Sequence, residues 1–216
     1  MAASEPLIPK HGGYRKLKSF QVAQLVYDVT VRFCDRYVEK RSRTHDQMVQ
    51  AARSGVQNIA EGSQASGTSK KMELKLTNVA RASLEELRLD YEDFLRQRGL
   101  PMWPPEHPAL MRFKAKRCKT LEEVRAWVEE EQGRARTGMD EHGRTNGPEA
   151  SGPVGAGPGL SASSSVFVAN AALSLLNLCC YFLDRQIAAQ AEAFKTEGGF
   201  TERLYRVRSE TRRNKP

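Results

Sequence analysis

Histidine and cysteine, which often carry nucleophilic or acid–base chemistry near neutral pH, form no catalytic pattern in this sequence. The histidines fall in predicted loops or at a helix start, and none has a serine, cysteine or carboxylate at a motif spacing. They are His11, His45, His107 and His142. The cysteines contain no Cys-x-x-Cys pair. They are Cys34, Cys118, Cys179 and Cys180. We therefore predict that the protein is not an enzyme, binds no metal ion and uses no cofactor.

A second polar group lies near the centre of the chain. Asn58, Glu61 and Gly62 are expected at the end of the second predicted helix. Arg81 and Glu85 stand four residues apart on one face of the third. These residues could form a polar site within a helical bundle. The favoured alternative is a structural motif: an interhelical ion pair, and a backbone cap in which Gly62 closes the helix in the left-handed conformation.

Basic residues are the best candidates for binding. The net charge of +8 and the pI near 9.5 favour an acidic partner such as nucleic acid. The nucleic-acid-binding candidates lie near predicted helix ends, and they are Arg15, Lys16, Lys18, Arg36, Lys40, Arg41, Arg43, Lys70, Lys71 and Lys75. In an up-down bundle the 36–43 cluster would occupy one pole and the remaining residues the other. The alternative is a solvated basic surface, and the few neighbouring aromatic residues do not support sequence-specific reading of a single strand.

Periodic apolar residues predict the elements that would position these groups. Residues 1–18 form a polar lead-in, and residues 19–100 contain three helices of a bundle. Thr44 or Asp46 is expected to cap the second helix, and Ser69 the third. Gly55, in the middle of the second helix, costs about 1 kcal/mol relative to alanine, so close helix packing is the expected compensation.

The second half of the chain is less regular. Residues 101–132 are predicted to be irregular with short helices, one of them starting after Thr120 and ending at Glu131. Residues 133–165 are rich in Gly, Ser and Pro, which predicts a flexible loop. Residues 166–196 form the predicted fourth helix. A basic tail, expected to be frayed, follows over residues 197–216.

The fourth predicted helix is apolar enough to raise the question of a membrane. Residues 166–183 contain no charge and are a borderline span by length. A polar seam nevertheless runs along the helix at steps of three and four, through Asn170, Ser174, Asn177, Tyr181 and Asp184. We favour a buried helix and no membrane, with the seam as an oligomer contact or as a hydrogen-bonded core seam. The lack of a signal-peptide pattern and the reduced character of the cysteines predict a cytoplasmic protein.

Three runs in the central stretch resemble a known family. They are Asn58-Ile-Ala-Glu-Gly62, Ser69-Lys-Lys-Met-Glu and Ala80-Arg-Ala-Ser-Leu-Glu-Glu-Leu87. Together they are similar to the bacterial four-helix-bundle proteins encoded in ribosomal RNA intervening sequences, and to the accessory variability determinant of diversity-generating retroelements. The resemblance implies an all-α, antiparallel up-down four-helix bundle, here with a long insertion between helices 3 and 4. It also implies a homo-oligomer of pentameric ring form and, as partners, RNA or DNA and a reverse transcriptase.

Two functions follow from the residues and the resemblance together. The first is a non-enzymatic, oligomeric scaffold that binds nucleic acid, with RNA as the expected form. The second is a protein–protein adaptor, for example to a reverse transcriptase, without direct nucleic-acid binding. Salt dependence separates the two, because phosphate binding releases counterions and weakens steeply as salt rises.

Overall fold

The computed structural model describes residues 7–8, 10–142 and 164–213, and within them the chain is helical with no β-strand. The predicted all-α class is confirmed. After a short 3-10 turn at Tyr14–Lys16 come the helices α1 (Lys18–Tyr37), α2 (Arg43–Ala65), α3 (Lys70–Gln97), α4 (Pro108–Lys116), α5 (Leu121–His142), α6 (Ser164–Glu197) and α7 (Phe200–Arg213).

Four of these helices surround a shared core. α1 packs against α2 and α6, and α3 packs against the same two helices. Cys34 near the end of α1 lies against Met48 near the start of α2, and Lys70 at the start of α3 contacts Ala193 near the end of α6. α4 and α5 pack on α6, and α5 also touches α1.

Aromatic side chains fill one end of the core, as expected when periodic apolar residues turn to a common interior. The ring of Phe33 on α1 lies 4.8 Å from that of Tyr91 and 4.7 Å from that of Phe94 on α3. The buried Tyr91 hydroxyl donates to Oγ1 of Thr30 at 3.1 Å, so its polar atom is satisfied. Between α4 and α5, Phe113 packs on the fully buried Trp127.

The helix boundaries confirm some predictions and correct others. The Ser69 side chain accepts from the N–H of Met72, as predicted for an N-cap. The cap of α2 is Ser42, whose side chain accepts from the N–H of His45, and not Thr44 or Asp46. α2 also runs through Gly62 to Ala65, so the prediction that Gly62 closes this helix is wrong. Gly62 is instead a point of close approach, because a Cβ there would lie 3.2 Å from the carbonyl oxygen of Glu73.

The region after α3 is more helical than predicted. The helix starting after Thr120 is present, and the Thr120 hydroxyl accepts from the N–H of Glu123. It continues to His142, so residues 133–142 are helical and not part of a loop. Gly133 lies inside this helix and does not end it. The residue is exposed, and a Cβ added there would meet nothing within 4 Å. The rest of the predicted loop up to residue 163 lies outside the described residues.

The predicted frayed tail also differs from the structure. Gly198 adopts φ +68° and ends α6, as predicted. The chain then forms α7 over Phe200–Arg213. This segment contains no proline and no internal glycine, so nothing in its sequence interrupts a helix. The predicted tail residues 214–216 lie outside the described part.

α6 combines membrane-like composition with burial in the protein. By length and composition it could cross a membrane, since an 18-residue window reaches a mean hydropathy of 1.9. In this fold, 67% of that window is buried, against α1, α3, α4 and α5. The core helix of a soluble protein has the same properties.

Candidate nucleic-acid interface

Three basic segments meet at the end of the molecule that carries the α2–α3 turn. The N–H of Gly12 donates to the carbonyl oxygen of Ser63 at 3.1 Å, which places the N-terminal segment beside the end of α2. The Nζ of Lys70, at the start of α3, bonds the carbonyl oxygen of Ala193 near the end of α6. We call residues 10–21, 61–75 and 192–213 the basic pole; the last segment includes α7, which begins at this end.

The basic pole carries nearly the whole net charge of the chain. Its three segments contain thirteen Lys and Arg residues and six Glu residues. At the other end of the molecule, residues 35–47 and 93–106, here called the opposite pole, contain six basic and five acidic residues. From the sequence the two poles were equivalent candidates, whereas the fold brings most of the excess positive charge to one pole and to the helix α7 that begins there. Such a concentration of like charge attracts polyanions.

Five of the predicted binding residues at the basic pole are free for an external partner. They are Arg15, Lys16, Lys18, Lys71 and Lys75. All five are exposed, and within the described part of the chain none forms an ion pair with a carboxylate. The guanidinium of Arg15 lies over the ring of Tyr14, 4.7 Å from its centroid, which leaves its N–H edge available.

Lys70 differs from this set because its charge is already engaged. Its side chain is only 15% exposed and forms an ion pair with Glu197. Its Nζ also bonds the carbonyl oxygen of Ala193 at 3.4 Å, so it acts as a cation at the C-terminal end of α6. The hydrogen bond from Lys70, followed by its charge, lowers the pKa of the Glu197 carboxyl.

At the opposite pole one of the predicted basic residues, Arg43, has acidic neighbours. Arg36, Lys40, Arg41 and Arg43 are exposed. Arg43 lines an open groove of about 640 Å³ between α2 and α3 together with three carboxylates, those of Asp46, Glu86 and Asp90. Burial, then the charges of Asp93 and Glu86, raise the pKa of Asp90. A phosphate backbone would be repelled by this groove, so the opposite pole is the weaker candidate.

The predicted ion pair of the central motif does not join α2 to α3. Arg81 pairs with Asp184 of α6, and Glu85 pairs with Arg88 of its own helix. Glu61 is exposed on the solvent side of α2, and helical periodicity alone did not reveal that orientation.

Asn58 contributes to the structure through a different contact. Its Nδ2 donates to the carbonyl oxygen of Ser54 at 2.9 Å and lies 3.1 Å from the Ser54 hydroxyl. That hydroxyl lies 3.0 Å from the hydroxyl of Ser83, so the link between α2 and α3 consists of neutral hydrogen bonds. The motif contributes to the packing of the hairpin, and its hydroxyl partners Ser54 and Ser83 line the open groove between α2 and α3.

The polar seam of α6 divides into separate contacts. Asn170 is buried, accepts from the N–H of Trp103 at 2.7 Å and donates to the carbonyl oxygen of Pro101. Asn177 and Tyr181 are exposed, and Asp184 pairs with Arg81. A continuous core seam within one subunit is therefore excluded, because α6 turns its later half partly toward solvent.

Sequence reasoning missed the helical form of the basic C-terminal segment. α7 carries Arg203, Arg206, Arg208, Arg212 and Arg213 and begins at the basic pole. The signal that could have found it is the absence of any helix breaker between Phe200 and Arg213.

No group of three or more His, Cys, Asp or Glu side chains among the described residues could hold a metal ion. His107 stacks on Trp103 with the ring centroids 4.2 Å apart. Burial, then the nearby charge of Arg112, lower the pKa of His107.

Comparisons with protein-family models, with characterised proteins and with solved structures find no match for this chain. The family resemblance therefore rests on the three sequence runs alone.

Proposed function

We propose that this protein is a non-enzymatic, self-associating up-down four-helix bundle, built from α1, α2, α3 and α6, that binds nucleic acid through its basic pole. RNA is the proposed form, in the cytoplasm. The observation that carries the proposal is the charge of the basic pole, where thirteen basic side chains stand against six acidic ones. The set of exposed, unpaired cations formed by Arg15, Lys16, Lys18, Lys71 and Lys75 supplies the contacts.

The expected salt dependence of nucleic-acid binding follows from the number of cations in this set. If all five cations each neutralise one phosphate of a single strand, the slope of log K against log salt is about −3.5. The affinity then falls about a hundredfold between about 50 and 200 mM salt.

The test is fluorescence anisotropy with a labelled single-stranded RNA over a salt series. The double variant Lys16→Glu/Lys71→Glu removes two contacts, so we expect weaker binding and a shallower slope. The matched control is Arg36→Glu/Arg41→Glu, which changes the net charge equally at the opposite pole and should have a much smaller effect. Equal loss in both variants would reject the basic pole as the binding face, and salt-independent binding would reject phosphate recognition altogether.

The second candidate is a protein–protein adaptor, for example to a reverse transcriptase. It is favoured by exposed apolar side chains on α6, where Leu178 and Tyr181 are 43% and 53% exposed. Size-exclusion chromatography with light scattering and absorbance at two wavelengths distinguishes the two. An oligomer that carries nucleic acid at low salt and releases it at high salt supports the scaffold. A nucleic-acid-free oligomer at low salt favours the adaptor.

A further inference from the structure

The outward side of α3 carries a row of residues that the bundle leaves uncovered. α3 packs on α2 and α6 and turns buried residues such as Leu84 and Leu87 to the core. On its other side, exposed residues follow one another at steps of three and four. We call them the α3 stripe, and they are Met72, Lys75, Val79, Ala82, Glu86 and Leu89. Every large apolar side chain that α3 exposes lies on this stripe, at 45% for Met72, 39% for Val79 and 54% for Leu89.

The spacing of the α3 stripe is the one by which two helices pack along each other. Steps of three and four repeat every seven residues, as in the seam of a coiled coil. The stripe is about 26 Å long, at a rise of about 1.5 Å per residue. A continuous exposed seam with large apolar side chains indicates an interaction surface. Because the bundle already holds α3 in helical form, a partner that packs on the stripe does not have to induce the helix.

The α3 stripe is complementary to its own reverse. From its start it reads apolar, basic, apolar, apolar, acidic, apolar. Reversal exchanges only the basic and the acidic position, so a second, antiparallel copy sets apolar against apolar residues and base against acid. All the facing pairs share one midpoint in the sequence. They are Met72 with Leu89, Lys75 with Glu86, and Val79 with Ala82.

The two charged positions select the antiparallel orientation. Within the described part of the chain, neither Lys75 nor Glu86 forms an ion pair. Antiparallel pairing gives each of them a partner of opposite charge, and a two-fold axis repeats the contact. Parallel pairing in register would oppose lysine to lysine and glutamate to glutamate, which is unfavourable.

The surroundings of Glu86 add to this complementarity. Glu86 lines the groove between α2 and α3 together with two other carboxylates and one guanidinium, those of Asp46, Asp90 and Arg43. This region therefore has a net negative charge. It favours the approach of the lysine from a second copy.

We propose that two copies of this chain form a two-fold symmetric dimer by antiparallel pairing of their α3 stripes. The inference rests on the self-association in the proposed function and is independent of its nucleic-acid binding. Pairing engages Lys75, so four of the five exposed cations remain free at each basic pole. Because α3 begins at the basic pole, the dimer carries its two basic poles at opposite ends.

The test exchanges the two charges of the stripe. Sedimentation velocity of the nuclease-treated full chain, over a concentration series, measures the dissociation constant of the dimer. Lys75→Glu or Glu86→Lys turns two attractive pairs into two like-charge pairs, so each should raise this constant about thirtyfold. The double variant Lys75→Glu/Glu86→Lys restores opposite charges and should return to within about threefold of wild type. An equimolar mixture of the two single variants should also form dimers, because each chain supplies the charge that the other needs.

The matched control is Lys40→Glu, which makes the same charge change at an exposed residue between α1 and α2. It should alter the dissociation constant less than about twofold, because salt screens distant exposed charges. Circular dichroism checks that every variant keeps its helices.

The outcomes separate this inference from the proposed function. The inference alone is overturned if the wild type self-associates and the two charge reversals do not weaken it. It is also overturned if the folded double variant stays as dissociated as the single ones. Both the inference and the proposed self-association are overturned if the wild type is monomeric at every concentration. A dimer that responds to charge exchange as expected, but binds no RNA in the anisotropy assay, supports the inference and rejects the nucleic-acid part of the proposed function.

Discussion

Replacing Gly55 by alanine tests the close approach of α2 and α3. Gly55 is buried in the middle of α2, and a Cβ at this position would lie 2.6 Å from Cδ2 and 2.7 Å from Cγ of Leu84. Ordinary contact begins at 3.4 Å, so the two groups must separate by about 0.8 Å. Leu84 is fully buried in the core, and its Cγ cannot move without shifting the rest of its side chain.

Two opposing contributions, helix propensity and overpacking, decide whether Gly55→Ala raises or lowers the free energy of unfolding. Alanine improves helix propensity over glycine by about 1 kcal/mol. Overpacking a close-packed core costs about 1 to 3 kcal/mol, and the upper part of that range applies because Leu84 is enclosed. We expect Gly55→Ala to lower the free energy of unfolding by about 1 to 2 kcal/mol, and the melting temperature by about 2 to 8 °C for a chain of this size.

The matched control is Gly133→Ala on α5. Gly133 is also inside a helix, but it is exposed, and a Cβ there would meet nothing within 4 Å. Only the propensity term remains, so we expect this variant to be more stable by about 0.5 to 1 kcal/mol. Urea denaturation followed by circular dichroism measures both variants. If Gly55→Ala is as stable as Gly133→Ala, the close approach of α2 to Leu84 is refuted.

Three further predictions concern other parts of the fold. Asn170→Leu removes the partners of the Trp103 N–H and the Pro101 carbonyl, so urea denaturation should show a loss of about 2 kcal/mol, whereas Ser174→Ala should change little. Burial raises the pKa of the Glu73 carboxyl above its ordinary value. Ionised Glu73 therefore lowers the free energy of unfolding near neutral pH. This loss disappears when the pH falls below the pKa of Glu73 in the unfolded chain. Glu73→Gln should unfold at higher urea than wild type near pH 7 but not near pH 4, and a constant difference would contradict the burial argument. Burial raises the pKa of the Cys34 thiol to about 12 and also raises the pKa of the Cys179 and Cys118 thiols, but Cys118 is only half-buried whereas the other two are buried. Mass spectrometry after brief alkylation should therefore find Cys118 labelled before the other two.

Local sequence signals predicted the elements best where they are strong and short-range. Ser69 followed by an apolar-periodic run predicted the start of α3, and the structure places its side chain on the Met72 N–H. Gly198 predicted the end of α6 for a similar reason, since few other residues adopt a positive φ at low cost. Such signals depend on neighbours within one helical turn, so the sequence contains the whole of the cause.

Signals that depend on distant partners were interpreted wrongly. Glycine is common at helix ends, but Gly62 lies inside α2. Its lack of a side chain allows the Glu73 backbone of α3 to approach closely. Arg81 was expected to pair across the α2–α3 hairpin, and its partner Asp184 lies 103 residues away on α6. Helical periodicity states which residues share a face and does not state which helix that face meets.

The sequence by itself therefore determined the helical class, most helix boundaries and the excess of positive charge, because each of these depends on residue type or short-range spacing. Only the tertiary structure decided where the charge is concentrated. Segments 10–21, 61–75 and 192–213 are far apart along the chain. The first two meet where Gly12 bonds Ser63, and the end of α6, from which α7 continues, packs beside the start of α3. The same packing engages Lys70, leaves Lys16 and Lys71 exposed and buries Arg203, whose Nε has no acceptor among the described residues.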